Sequence, residues 1–364
     1  MKTFCIAGPV IREDHYFIAR RIDRDSDIRQ FIEQKKYFVI HAPRQTGKTT
    51  ALFEFVQELN AQEKYKALYV NVEPAQIARG NFIEGMSIVL DRLKESIKLT
   101  FGEKDKALKF FDKPAGQLII AGNELAKFLA FLAHSSEKPT VLFIDEIDSL
   151  VGDTLISVLR QLRAGYPDRP QNFPQSVGLV GVRDVRDYRV WSDEQHNMVL
   201  GGSAFNIKAE SIRLSDFRAQ EVRDLYEQHT RETGQKFTDE AIDYAFYLTQ
   251  GQPWLINALA YQACFRDVTD RDQSITKDVI ERSKEALIKR RDTHVDVLQE
   301  WIEDPRLQEI IVAIVSGKVA NMPFFARDVR YARDLGVLAK DGIEFSNPIY
   351  REIIPKLLTQ QTVG

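Results

Sequence analysis

Cysteine is scarce in this chain of 364 residues: Cys5 and Cys264 are its two cysteines, and they lie far apart in the sequence. The six histidines are scattered, with no HxxxH spacing and no Cys-x-x-Cys pair to join them. The sequence therefore offers no metal-ligand spacing and favours a reduced, cytoplasmic setting. His41 adjoins a motif described below, and we interpret it as a structural residue.

The chain also has no excess of basic residues and no long hydrophobic run. The net charge is −3, so no overall positive field would attract nucleic acid. The most apolar stretch, residues 118–133, is interrupted by polar and charged side chains and predicts an amphipathic helix rather than a membrane span. Residues 1–10 are too short and too broken to predict a signal peptide. We expect a protein without a membrane partner.

The string APRQTGKTT at residues 42–50 is the most informative feature that is present. An apolar run at residues 37–40 precedes it, and a helix-compatible pattern follows it. A strand, a loop and a helix in that order direct consecutive backbone N–H groups and a helix N-terminus at one place, which suits a triphosphate. The alternative is a chance match to a short motif. The residues predicted to bind the nucleotide here are Pro43, Arg44, Gln45, Thr46, Gly47, Lys48, Thr49 and Thr50.

Within this loop, Lys48 is predicted to reach the β- and γ-phosphates, and Thr49 to offer its hydroxyl to Mg²⁺. Ala42 stands where the first glycine of such loops is usual. The cofactors expected are therefore ATP or ADP with Mg²⁺.

A second apolar run, TVLFIDEID at residues 140–148, ends in carboxylates. Asp145 is predicted to hold the Mg²⁺ shell, and Glu146 to polarise the water that attacks the γ-phosphate. Asp148 is expected to cap the next helix. The alternative is an apolar strand that happens to end in acids.

Further strands are predicted at residues 67–72, 176–182 and 206–214, with helices between them. This order predicts an α/β, doubly covered parallel sheet with its ligand at the carboxyl ends of the strands. Because one strand intervenes in sequence between the loop strand and the acidic strand, we expect another strand to separate those two in the sheet.

Arginines near the predicted fourth strand are candidates for sensing the γ-phosphate. Arg183 follows that strand and either contacts the phosphate or pairs with loop neighbours. Four further arginines are candidate fingers toward a neighbouring subunit of a homo-oligomer, or else solvated charges. They are Arg160, Arg163, Arg169 and Arg186.

The composition changes after Leu214, and the length allows two or three domains. We predict a nucleotide-binding domain at 1–215, a helical lid at 216–290 and a winged-helix-like domain at 291–364. In the lid, Pro253 of Gly251-Gln252-Pro253 either packs on the nucleotide or only punctuates two helices.

The last domain is predicted to run helix, helix, two short strands around an Asp-Gly turn, and a final helix. Arg327, Arg330 and Arg333 lie at helical spacing, which would suit DNA. Asp328 and Asp334 interleave with them, and this weakens the field and favours a protein partner over DNA.

Long strings of the chain resemble a bacterial family of AAA-like P-loop ATP-binding proteins, in the group that links AAA+ ATPases with signal-transduction ATPases of the STAND type. These strings are AGPV, DHYFI, YFVIHAPRQTGKTT, LYVNVE, LFIDEIDSLVGDTLISVLRQLRAGY, GVRDVRDY, GGSAFNIKAESIRL, GQPWLINALA and NPIYREIIP.

The resemblance implies an ATP-binding core, a helical lid and a winged-helix module. It gives Lys48 and Thr49 the loop roles, Asp145 and Glu146 the acidic-strand roles, and Arg183 a sensor-like role. Pro253 matches the lid motif of the relatives. Because the helix after Pro253 lacks the arginine that many AAA+ lids present, the resemblance implies either slow turnover or a hydrolysis cycle that relies on Arg183.

The leading hypothesis is an ATPase in which MgATP hydrolysis or exchange is coupled to lid and winged-helix movement in a regulatory or signalling role. The alternative is a nucleotide-gated DNA- or protein-binding module with little turnover. A third hypothesis is a nucleotide-binding scaffold for a C-terminal effector domain.

Overall fold

The computed structural model describes residues 1–19, 22, 26–112, 122–183, 189–192, 197–200, 206–290, 298–299, 301–319 and 325–361. The chain divides into two compact units. The sheet unit comprises Arg20–Ala42 and Thr49–Leu214, and the helical unit comprises Met1–Ala19, Pro43–Lys48 and Ser215–Gly364.

Parallel strands build the centre of the sheet unit. The strands described are β1 Tyr37–His41, β2 Lys66–Asn71, β3 Thr140–Asp145, β4 Ser176–Gly181, β5 Arg189–Ser192, β6 Asn197–Leu200 and β7 Lys208–Arg213. Five of them form a parallel sheet in the order β2-β3-β4-β1-β7. The strand β4 therefore separates the loop strand β1 from the acidic strand β3, which confirms the predicted α/β fold and its strand arrangement. The antiparallel pair β5-β6 was not predicted.

Helices cover both faces of this sheet because strand side chains alternate between the faces. The helices of this part of the chain are α1 Ile28–Glu33, α2 Lys48–Ala61, α3 Phe82–Phe101, α4 Glu124–His134 and α5 Gly152–Gly165. Phe38 and Phe143 pack with α2 on one face, whereas Val39 and Leu142 pack with α3, α4 and α5 on the other. Short 3-10 turns at Glu73–Ala78, Lys106–Asp112, Ile147–Ser149 and Tyr166–Asp168 complete the connections.

The described part of the helical unit is built mainly from helices. Its described helices are α6 Ala219–Thr233, α7 Asp239–Thr249, α8 Pro253–Gln262, α9 Lys277–Arg290, α10 Pro305–Val315, α11 Ala326–Asp334 and α12 Pro348–Gln361. A π-helical turn at Ala263–Asp267 extends α8. Between α11 and α12 the predicted pair of strands is reduced to a single antiparallel bridge, Leu338 to Phe345.

Residues 1–19, which we call the N-terminal arm, belong to the core of the helical unit. Phe4 is 1% exposed and packs on Tyr16 and Tyr226. The amide of Gln228 accepts from the Phe17 N–H at 2.9 Å and donates to the Phe17 carbonyl at 2.8 Å. The arm is therefore fixed to α6 by packing and by a two-way hydrogen bond.

Candidate functional site

The loop after β1 folds around one carbonyl group. The Thr46 hydroxyl donates to the Pro43 carbonyl at 2.8 Å, and the Lys48 ammonium donates to the same oxygen at 3.0 Å. Gln45 and Gly47 have left-handed φ angles of 60° and 77°. Left-handed residues alternating with right-handed ones turn successive N–H groups toward one side, and this makes an anion-binding concavity. The local backbone therefore has the character that a phosphate loop needs.

The other predicted loop residues differ in their exposure. Arg44 and Gln45 are exposed, whereas Thr46 is 1% and Lys48 6% exposed. Thr50 lies half-buried in the first turn of α2. The lysine is thus held on the loop by its hydrogen bond to the Pro43 carbonyl.

Asp145, the last residue of β3, is fully buried and hydrogen-bonded. Its Oδ2 accepts from the Thr49 hydroxyl at 3.0 Å and from the Tyr69 hydroxyl at 2.8 Å, and its Oδ1 accepts from the Glu146 N–H at 2.9 Å. The predicted Mg²⁺ residues Thr49 and Asp145 are therefore in direct contact.

Tyr69 was not predicted as part of the site. Burial and, next, the charge of Asp145 raise the pKa of Tyr69 above its ordinary value, so its hydroxyl stays protonated and donates. The strand pairing is the signal that could have identified it, because β2 runs beside β3 and Asn71 is paired with Asp145. Tyr69 thus comes near the strand end on the face that Asp145 shares.

Glu146 leaves the strand in a left-handed conformation, with φ 57° and ψ 41°. This region is costly for a residue with a Cβ, by about 1–2 kcal/mol, and such costs concentrate at functional positions. The Glu146 carbonyl accepts from the Ser149 N–H at 3.0 Å, which fixes the turn. Glu146 is half-buried beside Asp145, where a base for the attacking water was predicted.

The prediction that Asp148 caps the next helix is wrong. The helix α5 begins after Val151 with no side-chain cap, and the Asp148 carboxylate instead accepts from the Val182 N–H. A Cβ on Gly181 would lie 2.6 Å from the Asp148 Oδ2, so a larger residue there would displace this carboxylate. Asp148 therefore ties the turn after β3 to the end of β4, next to the predicted sensor Arg183.

The predicted arginines and the lid proline lie on different elements of the fold. Arg183 lies half-buried just beyond β4, and Pro253 is buried as the first residue of α8. Arg169 is used internally, because its guanidinium stacks on Tyr166 and Tyr37. Arg160 and Arg163 are exposed on α5, and Arg186 lies outside the described residues. The roles of Arg183 and Pro253 remain predictions.

The donor set at Asp145 fits a magnesium ion. A carboxylate and a hydroxyl oxygen lie 3.0 Å apart, and Mg²⁺ prefers one or two such oxygens together with substrate phosphates over a cage made by the protein alone. The described residues hold no group of three or more His, Cys, Asp or Glu side chains that could bind a metal ion by themselves.

Comparisons with known proteins define the class. The profile of the AAA-like domain family matches residues 6–320, and the chain therefore belongs to this family of P-loop ATPases. A Walker-type ATPase of Pyrococcus abyssi aligns over 97% of this chain and 99% of its own length, with a TM-score of 0.66 and 15% identity. At that identity the likeness is one of fold.

Two other solved structures align less well. The ORC2 protein of Aeropyrum pernix, in ADPNP–ADP complexes, covers 90% of this chain and 89% of its own at a TM-score of 0.49 and 15% identity. A RuvB variant of Thermotoga maritima covers 87% of each chain at a TM-score of 0.42 and 13% identity. No curated protein sequence matches the chain. Among the described residues, no helix combines the length and the apolar character that crossing a bilayer requires.

Proposed function

We propose that the chain binds MgATP at residues 43–50 and hydrolyses it slowly, as a regulatory ATPase. The hydrogen bond of 3.0 Å between the Thr49 hydroxyl and the Asp145 carboxylate carries this proposal. It joins the residue that follows the loop lysine to the acidic end of β3, as a site for a phosphate-bound cation requires.

Each residue has a distinct task in the proposed reaction. Lys48 binds the γ-phosphate and offsets the charge that develops on it. Glu146 orients and polarises the attacking water, and Arg183 contacts the γ-phosphate after β4. Thr49 and Asp145 would hold Mg²⁺, which supplies charge neutralisation of the phosphates when bound.

A link to the C-terminal module is supported by one contact of the loop. Gly336 follows α11 with φ 84°, and a Cβ built on it would lie 2.7 Å from the Pro43 Cγ. The Ser346 hydroxyl donates to the Gly336 carbonyl at 2.7 Å. Because Pro43 packs on this turn, a shift of the loop on nucleotide binding would press on residues 336–346. We propose that this contact couples nucleotide state to the winged-helix-like module.

Two substitutions test the proposed site. K48A should abolish binding of a fluorescent ADP, whereas K104A, which changes an exposed lysine, should leave it unchanged. E146Q should bind within twofold of the wild type but lower ATP turnover by about 100-fold or more.

Undiminished affinity in K48A would reject the site, and persistent turnover in E146Q would assign the water to another base. Hydrogen exchange at residues 336–346 with and without ADP tests the coupling, which requires a change in protection there.

A partner-binding module with little turnover is the second candidate, and the charges of α11 favour a protein over DNA. Arg333 donates to the Gly342 carbonyl at 2.8 Å, and Arg327 pairs with Asp328 at 3.4 Å. These two cations are thus occupied within their own module. Duplex DNA should not stimulate ATP turnover. A separate binding assay should show no salt-dependent binding of the protein to DNA.

We propose that the protein forms a homo-oligomer, because Arg160 and Arg163 are exposed on α5. There they could contact a neighbouring copy of the chain. Mass measurements in ADP and in a non-hydrolysable ATP analogue test this assembly. A monomer in both states would reject it.

A further inference from the structure

Tyr69 reaches the acidic end of β3 from the neighbouring strand. It is 8% exposed, and its ring packs against Phe53 with centroids 4.4 Å apart. In the parallel register Tyr69 is paired with Phe143, and Asn71 with Asp145. The Tyr69 hydroxyl donates to the Asp145 Oδ2 at 2.8 Å.

The Asp145 carboxylate is held from three directions. The Tyr69 hydroxyl and the Thr49 hydroxyl donate to Oδ2, and the Glu146 N–H donates to Oδ1. These donors come from β2, from α2 and from the turn after β3, so together they fix the plane of the carboxylate. When Thr49 turns its oxygen toward a cation, the donor from Tyr69 remains.

We propose that Tyr69 is a positioning residue that orients the Asp145 carboxylate for the magnesium ion of the nucleotide complex. This proposal rests on the proposed function, and it adds a residue from β2 to the site. A phenylalanine would fill the same space, so the hydroxyl is the group that requires an explanation. Removing a residue that hydrogen-bonds to a metal ligand typically lowers metal affinity about 10–100-fold.

A purely structural role is the competing explanation, because buried tyrosines need a hydrogen-bond partner. Tyr37 provides the matched control. It is fully buried, and its hydroxyl donates to the Pro174 carbonyl at 3.1 Å. Tyr37 begins β1, whereas Asp145 ends the parallel strand β3. Y37F therefore removes an equivalent buried hydroxyl at the amino ends of the parallel strands, away from Asp145.

The test is a Mg²⁺ titration of fluorescent ADP binding for the wild type, Y69F and Y37F. Y69F should raise the Mg²⁺ concentration at half-saturation about tenfold and leave ADP affinity in EDTA within twofold. Y37F should follow the wild-type curve. Thermal unfolding of all three proteins shows whether the two variants lose similar stability.

A double-substitution cycle provides an independent measurement. In D145N, which keeps the shape of the side chain but not its charge, Y69F should shift the midpoint less than twofold. If Y69F still shifted the Mg²⁺ midpoint tenfold in D145N, Tyr69 would act on a group other than the Asp145 carboxylate. That result would overturn the proposal.

The other outcomes separate the two proposals. If the wild type shows Mg²⁺-dependent binding and Y69F has the same or a lower midpoint, the role of Tyr69 is rejected and the site stands. If the wild type binds no ADP with or without Mg²⁺, the site and the role of Tyr69 are rejected together.

Discussion

The sheet unit and the helical unit place their buried polar groups differently. In the sheet unit, β1, β3 and β4 are buried along their whole length, and the predicted site residues Asp145 and Glu146 lie at the carboxyl end of β3. The helical unit instead buries polar groups in its core, where His229 and Gln235 are both fully buried. The sheet unit thus buries Asp145, a predicted site residue, at a strand end, whereas His229 and Gln235 hold the core of the helical unit together.

The polar core of the helical unit joins distant parts of the chain. The His229 Nδ1 lies 3.2 Å from the Tyr16 hydroxyl, and its Nε2 lies 2.9 Å from the Gln235 Oε1. Arg271 donates to the same Gln235 oxygen at 2.6 Å. Burial lowers the pKa of His229, so the ring is neutral at pH 7. A neutral, fully bonded histidine can be buried at low cost and fixes the N-terminal arm to α6.

The largest expected effect comes from F4A, which removes the arm's aromatic anchor. Phe4 contacts the rings of Tyr16, Tyr226, His229 and Phe265, so the variant should lose about 3–5 kcal/mol of unfolding free energy. Hydrogen exchange should accelerate in α6 and α8 and stay unchanged in β1 and β4.

The control for F4A is F325A, at a phenylalanine that is 68% exposed in the same unit. It should change stability by less than about 0.5 kcal/mol. Equal acceleration of exchange in the sheet strands of F4A would contradict the division of the chain into these two units.

An intermediate effect is expected from K284M. The nearly buried Lys284 ammonium lies 2.9 Å from Glu281, 3.2 Å from Glu285 and 2.8 Å from Glu352, and this joins α9 to α12. Because these carboxylates are about a third exposed, we expect a loss of about 1–2 kcal/mol, measured by urea unfolding at pH 7.

The pH dependence of K284M sharpens the test. The hydroxyl of Tyr244 and then Lys284 hold the pKa of Glu281 below its ordinary 4.5. Burial raises the pKa of Glu352, but its hydrogen bonds to Lys284 and Lys356 outweigh burial and lower it overall. Lowered carboxyl pKa values stabilise the fold above pH 4.5, and this stability is lost as the pH falls through the folded-state values.

The difference between wild type and K284M should therefore be constant near neutral pH and shrink below pH 4.5. A difference that grows in acid would show that the carboxylates are not held by Lys284.

The smallest effect is expected from E146N, at the strained end of the sheet unit. Asparagine tolerates the left-handed region better than glutamate does, so the variant should gain about 0.5–1 kcal/mol of stability while losing turnover. The control is E63N, because Glu63 has a φ of 55° in an exposed turn. E63N should gain similar stability and keep turnover; a less stable E146N would argue against stored strain.

Local patterns predicted the strands that carry the site. An apolar run at residues 37–40 precedes the loop that contains Lys48, and another at residues 140–144 ends in Asp145. These two patterns were enough to predict where both residues lie in the fold. The pairing of β2 with β3 is not apparent from either strand alone, so the contact of Tyr69 can be inferred only once that pairing is known. Asp148 was assigned to the nearest helix because its partner Val182, just beyond β4, is distant in sequence.

Long-range contacts also hid the role of the N-terminal arm. Its partners lie more than two hundred positions away, as the hydrogen bonds from Phe17 to Gln228 and from Cys5 to Asn257 show. The helical character of that unit could still be predicted, because caps such as Thr238 are local; its hydroxyl accepts from the Ala241 N–H.

The arm has a consequence for how the protein is made. The separation of 252 positions between Cys5 and Asn257 means that, at a ribosome rate of about 5–20 residues per second, Phe4 waits roughly 10–50 s for its partners to be synthesised. The strands from β1 to β7 are complete earlier. Until α8 has been synthesised, the apolar side chains of the arm cannot make the contacts that bury them in the folded protein.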